Sequence, residues 1–182
     1  DYASGASDRG LLVVNHEYTN PELMFADYDV AAPEPTKAQI DVELAAHGLS
    51  VVEIQKNEQG KWTVVADSPL NRRITGTTPI TITGPAAGHD LLKTAADETG
   101  EEVLGTLNNC SGGKTPWGTV LAAEENFHQY FANQDLMEDG DAKDVHGRYG
   151  LPKEATELLW ENFYDRFDLT KEPNEPFRFG WM

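Results

Sequence analysis

The chain has 182 residues, 39% of them hydrophobic and 25% charged, enough for one globular domain with a substantial core. Its 31 acidic residues outnumber 14 basic ones, and the net charge of −17 repels nucleic acid and anionic lipid, removing both as leading partners. The single cysteine excludes an internal disulfide, and no apolar run reaches the length of a membrane span.

The sequence opens without Met in the polar stretch DYASGASDRG and closes on the aromatic run FRFGWM. Both ends read as cuts, so a piece of something longer is expected. Residues 11–16 (LLVVNH) are apolar and Val-rich, a strand signal. After a Pro-rich loop, Thr36 with Gln39 three residues later forms a capping-box pattern, and Gly48 provides a stop. The spacing therefore predicts a helix with Ile40, Leu44 and His47 on one face; His47 reads as a helix-end residue rather than a ligand. Residues 49–56 and 61–66 predict a β-hairpin turning at Gly60. A short strand at 80–83 follows, then a helix from Pro85 to Ala95, with proline as its first residue. A second hairpin is expected between 103–108 and 118–123, leaving Cys110 in a polar, Gly-rich loop. Beyond an acidic loop at 133–144, apolar spacing predicts a helix over 152–163; the last twenty residues read mostly as loop.

Short strands and hairpins interrupted by a few helices do not alternate as a doubly wound sheet requires. The expected fold is mostly β with inserted helices, a partial β-propeller. A blade is four strands in roughly 40–45 residues, so this length holds about two or three blades, and a ring needs about four or more. Residues 1–182 thus read as a single incomplete domain, part of a larger propeller. Its open sheet edges would permit self-association.

The chemistry concentrates between Thr106 and Phe127, TLNNCSGGKTPWGTVLAAEENF. GGKT at 112–115 invites a phosphate-loop reading, but Asn108 stands where that motif needs glycine, and Pro116 opposes the helix that should follow. Cys110 has three readings: an inert thiol, a nucleophile awaiting a base, or a metal-bound thiolate. Glu124 and Glu125 end a strand, where consecutive side chains face opposite ways, so a regular strand gives only one of them to a site and a bulge is needed to use both. Either acid needs a partner among apolar neighbours, a calcium ion or a buried arginine. His16 and Glu17 end the first strand in the same manner, with a solvated turn as the alternative. The acidic residues Asp135, Glu138, Asp139, Asp141 and Asp144 lack EF-hand spacing and read as a solvated loop. Asn71, Arg72 and Arg73 are the densest basic spot; Arg72 or Arg73 could hold an anion or neutralise a carboxylate.

The segments GLLVVNHEYTNPELMF, GLSVVEI, NRRIT, TGPAAG, NNCSGGKTPWGT and EENFHQYF, spread over residues 10–131, together resemble the N-terminal half of the PhoX family of calcium-dependent alkaline phosphatases. TPWGT followed by the glutamate pair is the most specific of them. The resemblance implies a β-propeller phosphomonoesterase, periplasmic or extracellular, that takes phosphate from small organic esters at a cluster of calcium and iron ions. By the same resemblance, Cys110 gives its thiolate to iron, while Glu17 and one or both of Glu124 and Glu125 are acidic ligands. Members of the family run far beyond 182 residues, with further acidic ligands and an arginine downstream, so this stretch alone is expected to be inactive. Two other functions stay open: a non-catalytic acidic β-domain stabilised by calcium, and a propeller hydrolase of another ester class.

Overall fold

The computed structural model describes residues 7–181; most of the polar opening stretch and the final Met lie outside it. Strand β1 (Arg9–His16) pairs antiparallel with β2 (Gly48–Lys56) along its whole length, Arg9 opposite Gln55 and His16 opposite Gly48. Between them lie α1 (Pro21–Met24) and α2 (Lys37–Ala46). The far side of β2 is shared by two short strands: β3 (Trp62–Val64) pairs with its C-terminal end and β4 (Arg72–Ile74) with its N-terminal end. Two further two-stranded sheets follow, β5 (Pro79–Thr81) with β6 (Glu102–Leu104), and β7 (Asn109–Lys114) with β8 (Val120–Glu124). The chain is therefore β-rich, in small antiparallel sheets, and no sheet closes on itself among the described residues. None of the described helices is long and apolar enough to cross a membrane.

The local signals for α2 and the first hairpin act as expected. The Thr36 side chain accepts from the Gln39 N–H while Gln39 reaches back to the Thr36 N–H, satisfying two donors that a helix start leaves open. Gly60 takes a positive φ at the β2–β3 turn. Gly48 is fixed more tightly: φ is +98°, and a Cβ there would fall 2.2 Å from the Ile74 carbonyl oxygen, so β4 closes on β2 only because no side chain intervenes.

Four expectations fail for tertiary reasons. The helix over 85–95 is only a 3-10 turn at Asp90–Leu92, because Gly88 adopts φ +78° and gives its N–H to Gly100. The helix over 152–163 does not form. The carbonyls of Pro152, Lys153 and Glu154 accept from Gln134, Asp135 and Asn133 instead of from their own segment, Glu161 accepts from the Thr156 N–H, and Leu159 is left-handed. A nine-residue helix, α3 (Asp141–Tyr149), starts within the region expected to be an acidic loop; Asp135, Glu138, Asp139 and Asp144 are exposed, and Lys143 pairs with Asp139. Finally, 103–108 does not pair with 118–123: Val103 lies opposite Ile80, the left-handed residues Gly105 and Asn108 end that strand, and the partner of β8 begins at Asn109.

The core forms where α2 meets the second half of the chain, around Ile40, Leu44, Leu107, Tyr130, Trp160 and Phe167, each fully or almost fully buried. Tyr130 stacks on Trp160 with centroids 4.8 Å apart, and His47 meets both rings edge-on. At roughly 1.5–3 kcal/mol for each buried large side chain, this aromatic cluster outweighs what the short strands contribute by pairing alone. The closing segment is loop in outline yet deeply engaged, with Phe177, Arg178 and Phe179 all buried.

Candidate metal centre

Cys110 lies in a strand, at its one irregular point. Asn109 faces Glu124 and Ser111 faces Ala123, so Cys110 is the extra residue of a β-bulge. Asn108, with φ +55°, turns the chain into the bulge, and its carbonyl accepts from the Glu125 N–H at 2.9 Å. The bulge sets the thiol against the residue just beyond β8: Cys110 Sγ donates to Glu125 Oε2 at 2.6 Å. The end of β1 joins them because Asn15 Nδ2 donates to the Ser111 carbonyl at 3.1 Å, which places Glu17, two residues on, beside the hairpin. One ligand atom from each of Glu17, Cys110 and Glu125 lies within 4.8 Å of the others, on exposed side chains.

The electrostatics of this cluster run against a free thiolate. Hydrogen bonding to Glu125, then desolvation, then the negative charges of Glu125 and Glu17 push the Cys110 thiol up to about 11. Two carboxylates and a sulfur held this close gain most from a cation, which would invert the shift and take the thiolate. The donor set fits the implied metals: carboxylate oxygens suit calcium, and a soft sulfur suits iron.

Glu124, one residue earlier, goes the other way. Its Oε1 accepts from Thr106 Oγ1 and from the Leu107 N–H, both at 2.7 Å, and its Oε2 accepts from the Gly180 N–H at 2.6 Å. Burial raises its pKa, opposed by these three donors and by the charge of Arg166. Strand alternation thus divides the pair: Glu125 joins the cluster, and Glu124 ties the 106–107 turn to the end of the chain. The bulge that both acids would have needed on β8 lies instead on β7, where it turns Cys110.

Arg72 and Arg73 stand on β4, outside the cluster. The Arg73 guanidinium is occupied by main-chain carbonyls, Ala45, Ala46 and His47 at the end of α2 at 2.7–3.0 Å, Leu49 at 2.9 Å, and Ile74. Arg72 lines an open, largely apolar cavity of about 740 Å³, together with Leu11, Val51, Ile80, Glu124 and Trp181. That cavity lies on the Glu124 face of the hairpin, and Glu17, Cys110 and Glu125 do not line it.

Two features escaped sequence reasoning. One is a buried ionic network: Arg166 Nε meets Glu175 Oε1 at 3.0 Å, and Arg178 meets Glu175 and Asp97 at 3.4 and 3.6 Å. The other is a hydrogen-bonded row leading from α2 to the Cys110 bulge. His47 Nδ1 bonds the Glu43 carbonyl at 2.7 Å, His47 Nε2 bonds the Tyr130 hydroxyl at 2.8 Å, and Asn108 Nδ2 donates to that hydroxyl at 3.2 Å. A carbonyl only accepts, so Nδ1 carries the proton. Desolvation brings His47 down to about 4, which keeps the ring neutral near pH 7 and makes Nε2 the acceptor from Tyr130. A histidine and an asparagine more than 60 positions apart give no spacing signal for such a row.

The sequence matches the family model described as alkaline phosphatase PhoX over residues 2–182. Among solved structures, the chain is similar to "Pseudomonas fluorescens PhoX in complex with vanadate, a transition state analogue", with 42% sequence identity and a TM-score of 0.86. The match covers 98% of this chain and 30% of that one, so the chain spans about a third of its structural neighbour. No curated protein matches the sequence. A family match over nearly all residues, together with a shared fold at this identity, places the chain in the PhoX alkaline phosphatase family.

Proposed function

We propose that the chain supplies Glu17, Cys110 and Glu125 to the metal centre of a calcium- and iron-dependent phosphomonoesterase. The carrying observation is their convergence within 4.8 Å from three separate segments of the sequence. Cys110 is the iron ligand in this reading, and Glu17 and Glu125 provide hard oxygens for calcium. Cations held there polarise phosphoryl oxygens and balance the charge of an in-line transfer. The protein's own part is positional. The bulge fixes the sulfur, the Asn15 bond brings in the end of β1, and Glu124 braces the turn preceding Asn108. The vanadate complex of the Pseudomonas fluorescens relative supports small phosphate monoesters as the substrates.

The remaining ligands belong, on this reading, to the part of the PhoX fold that these residues do not span, so residues 1–182 hold an incomplete centre and do not turn over substrate alone. The small sheets are then part of a larger β-propeller acting in the periplasm or outside the cell. Arg72, on the cavity wall, is the better placed of the two β4 arginines to meet an anion.

Elemental analysis of the natively isolated protein tests the assignment. Iron together with calcium is expected, and Cys110→Ser should lose iron while keeping the fold. Calcium without iron would favour a non-catalytic, calcium-stabilised domain. Rapid hydrolysis of a chromogenic phosphate ester by residues 1–182 alone would refute the incomplete centre.

A further inference from the structure

Asn108 is 2% exposed, and its side-chain Oδ1 has no hydrogen-bond partner among the described residues. A buried acceptor without a donor costs about 1–3 kcal/mol, so such groups point to a bound water or ion. Reversing the amide does not remove the problem. The His47 tautomer makes the Tyr130 hydroxyl a donor to His47, so its oxygen has to accept from Asn108, and Nδ2 is the atom that faces it. Oδ1 is therefore the end left without a partner.

The main chain of Asn108 adjoins the acidic cluster. The Asn108 carbonyl holds the Glu125 N–H at 2.9 Å, and Cys110 follows two residues later. An amide oxygen is a neutral, hard donor, a regular component of calcium sites alongside carboxylates. We infer that Asn108 Oδ1 is a further oxygen ligand of the cation held by Glu17, Cys110 and Glu125, with the Tyr130–His47 row locking the amide in the ligating orientation. This inference rests on the metal-centre reading above.

Two substitutions separate ligation from a structural role, because the two ends of the amide do different things. Asn108→Gly keeps the left-handed backbone accessible and removes both ends. Asn108→Asp keeps the oxygen and removes the N–H that binds Tyr130. The intact protein, stripped with a chelator, is titrated with calcium alone by calorimetry, with circular dichroism as the check on folding. Asn108→Gly should weaken calcium binding by about tenfold or more, whereas Asn108→Asp should stay within about threefold of the parent. Equal binding by the parent and Asn108→Gly overturns the inference, as does a folded Asn108→Asp that binds as weakly as Asn108→Gly. If Asn108→Gly does not fold, Asn108→Asp alone decides, since loss of calcium from a folded aspartate variant excludes the oxygen as a ligand. If the parent itself takes up no calcium, and neither Cys110→Ser nor Glu125→Gln changes that, the metal-centre reading fails as a whole. If Glu125→Gln weakens binding and Asn108→Gly does not, only the role of Asn108 falls.

Discussion

The two faces of the β7–β8 hairpin carry neighbouring residues of the same type to opposite ends. On one face, Glu125 is exposed and meets Cys110 and Glu17; on the other, Glu124 turns inward and answers three donors. Chemically the acids are identical, and a one-residue offset in a strand separates them. A carboxylate whose two oxygens both accept from protein donors holds structure together, and one left beside other anions is ready for a cation. Adjacency in sequence therefore says little about shared function where the chain is extended.

The strongest way to break this comparison is Glu124→Ala. It strips acceptors from the Leu107 and Gly180 N–H groups and from Thr106, at about 1–3 kcal/mol for a buried donor left unpaired. The metal-free protein should lose on the order of 3 kcal/mol in a urea titration. An unchanged midpoint would show that Glu124 does not brace the turn.

The inner side also has a pH signature. Burial holds His47 down to about 4 in the fold against an ordinary histidine value of 6.5, so the unfolded chain binds more protons between those limits. Its contribution is fully present above pH 6.5 and is lost as pH falls from 6.5 towards 4, on the order of 3 kcal/mol at full loss. His47→Gln should flatten that part of the stability–pH curve. A parent and variant with parallel curves would remove His47 from the account.

The smallest effect sharpens the outer face. Glu125→Gln should leave metal-free stability within about 0.5 kcal/mol, since the side chain is exposed. It should also relieve the upward pull on Cys110, whose largest cause is the hydrogen bond to Glu125. More thiolate is then present at pH 8, and alkylation by iodoacetamide should speed up by as much as about tenfold, the gain in thiolate being partly offset by weaker intrinsic nucleophilicity. Equal rates would place Glu125 away from the thiol in solution.

Features that depend on a few consecutive residues were legible beforehand. The Thr36–Gln39 box started a helix, and Gly60 turned the first hairpin. The rule that only one of two adjacent strand-end acids faces a given side held for Glu124 and Glu125. What misled was local signal without knowledge of its competitors. Pro85 looked like a helix start until Gly88 bonded across to Gly100, and the 152–163 periodicity lost its carbonyls to residues 133–135. The polar, Gly-rich flanks of Cys110 resemble a loop, whereas β8 recruits that same stretch as a bulged strand. Arg73 looked like an anion site; its guanidinium meets the carbonyls at the end of α2.

By itself, then, the order of residues fixed the family, the β-rich character and the identities of the acids and the thiol, because composition, turn chemistry and motif are read along the chain. Tertiary structure alone decided which acid meets the sulfur, where the bulge falls, and that a histidine, a tyrosine and an asparagine from distant segments form one buried row. Those outcomes depend on register and on competition for hydrogen bonds between segments far apart in sequence, and both are settled only when the sheets and the core come together.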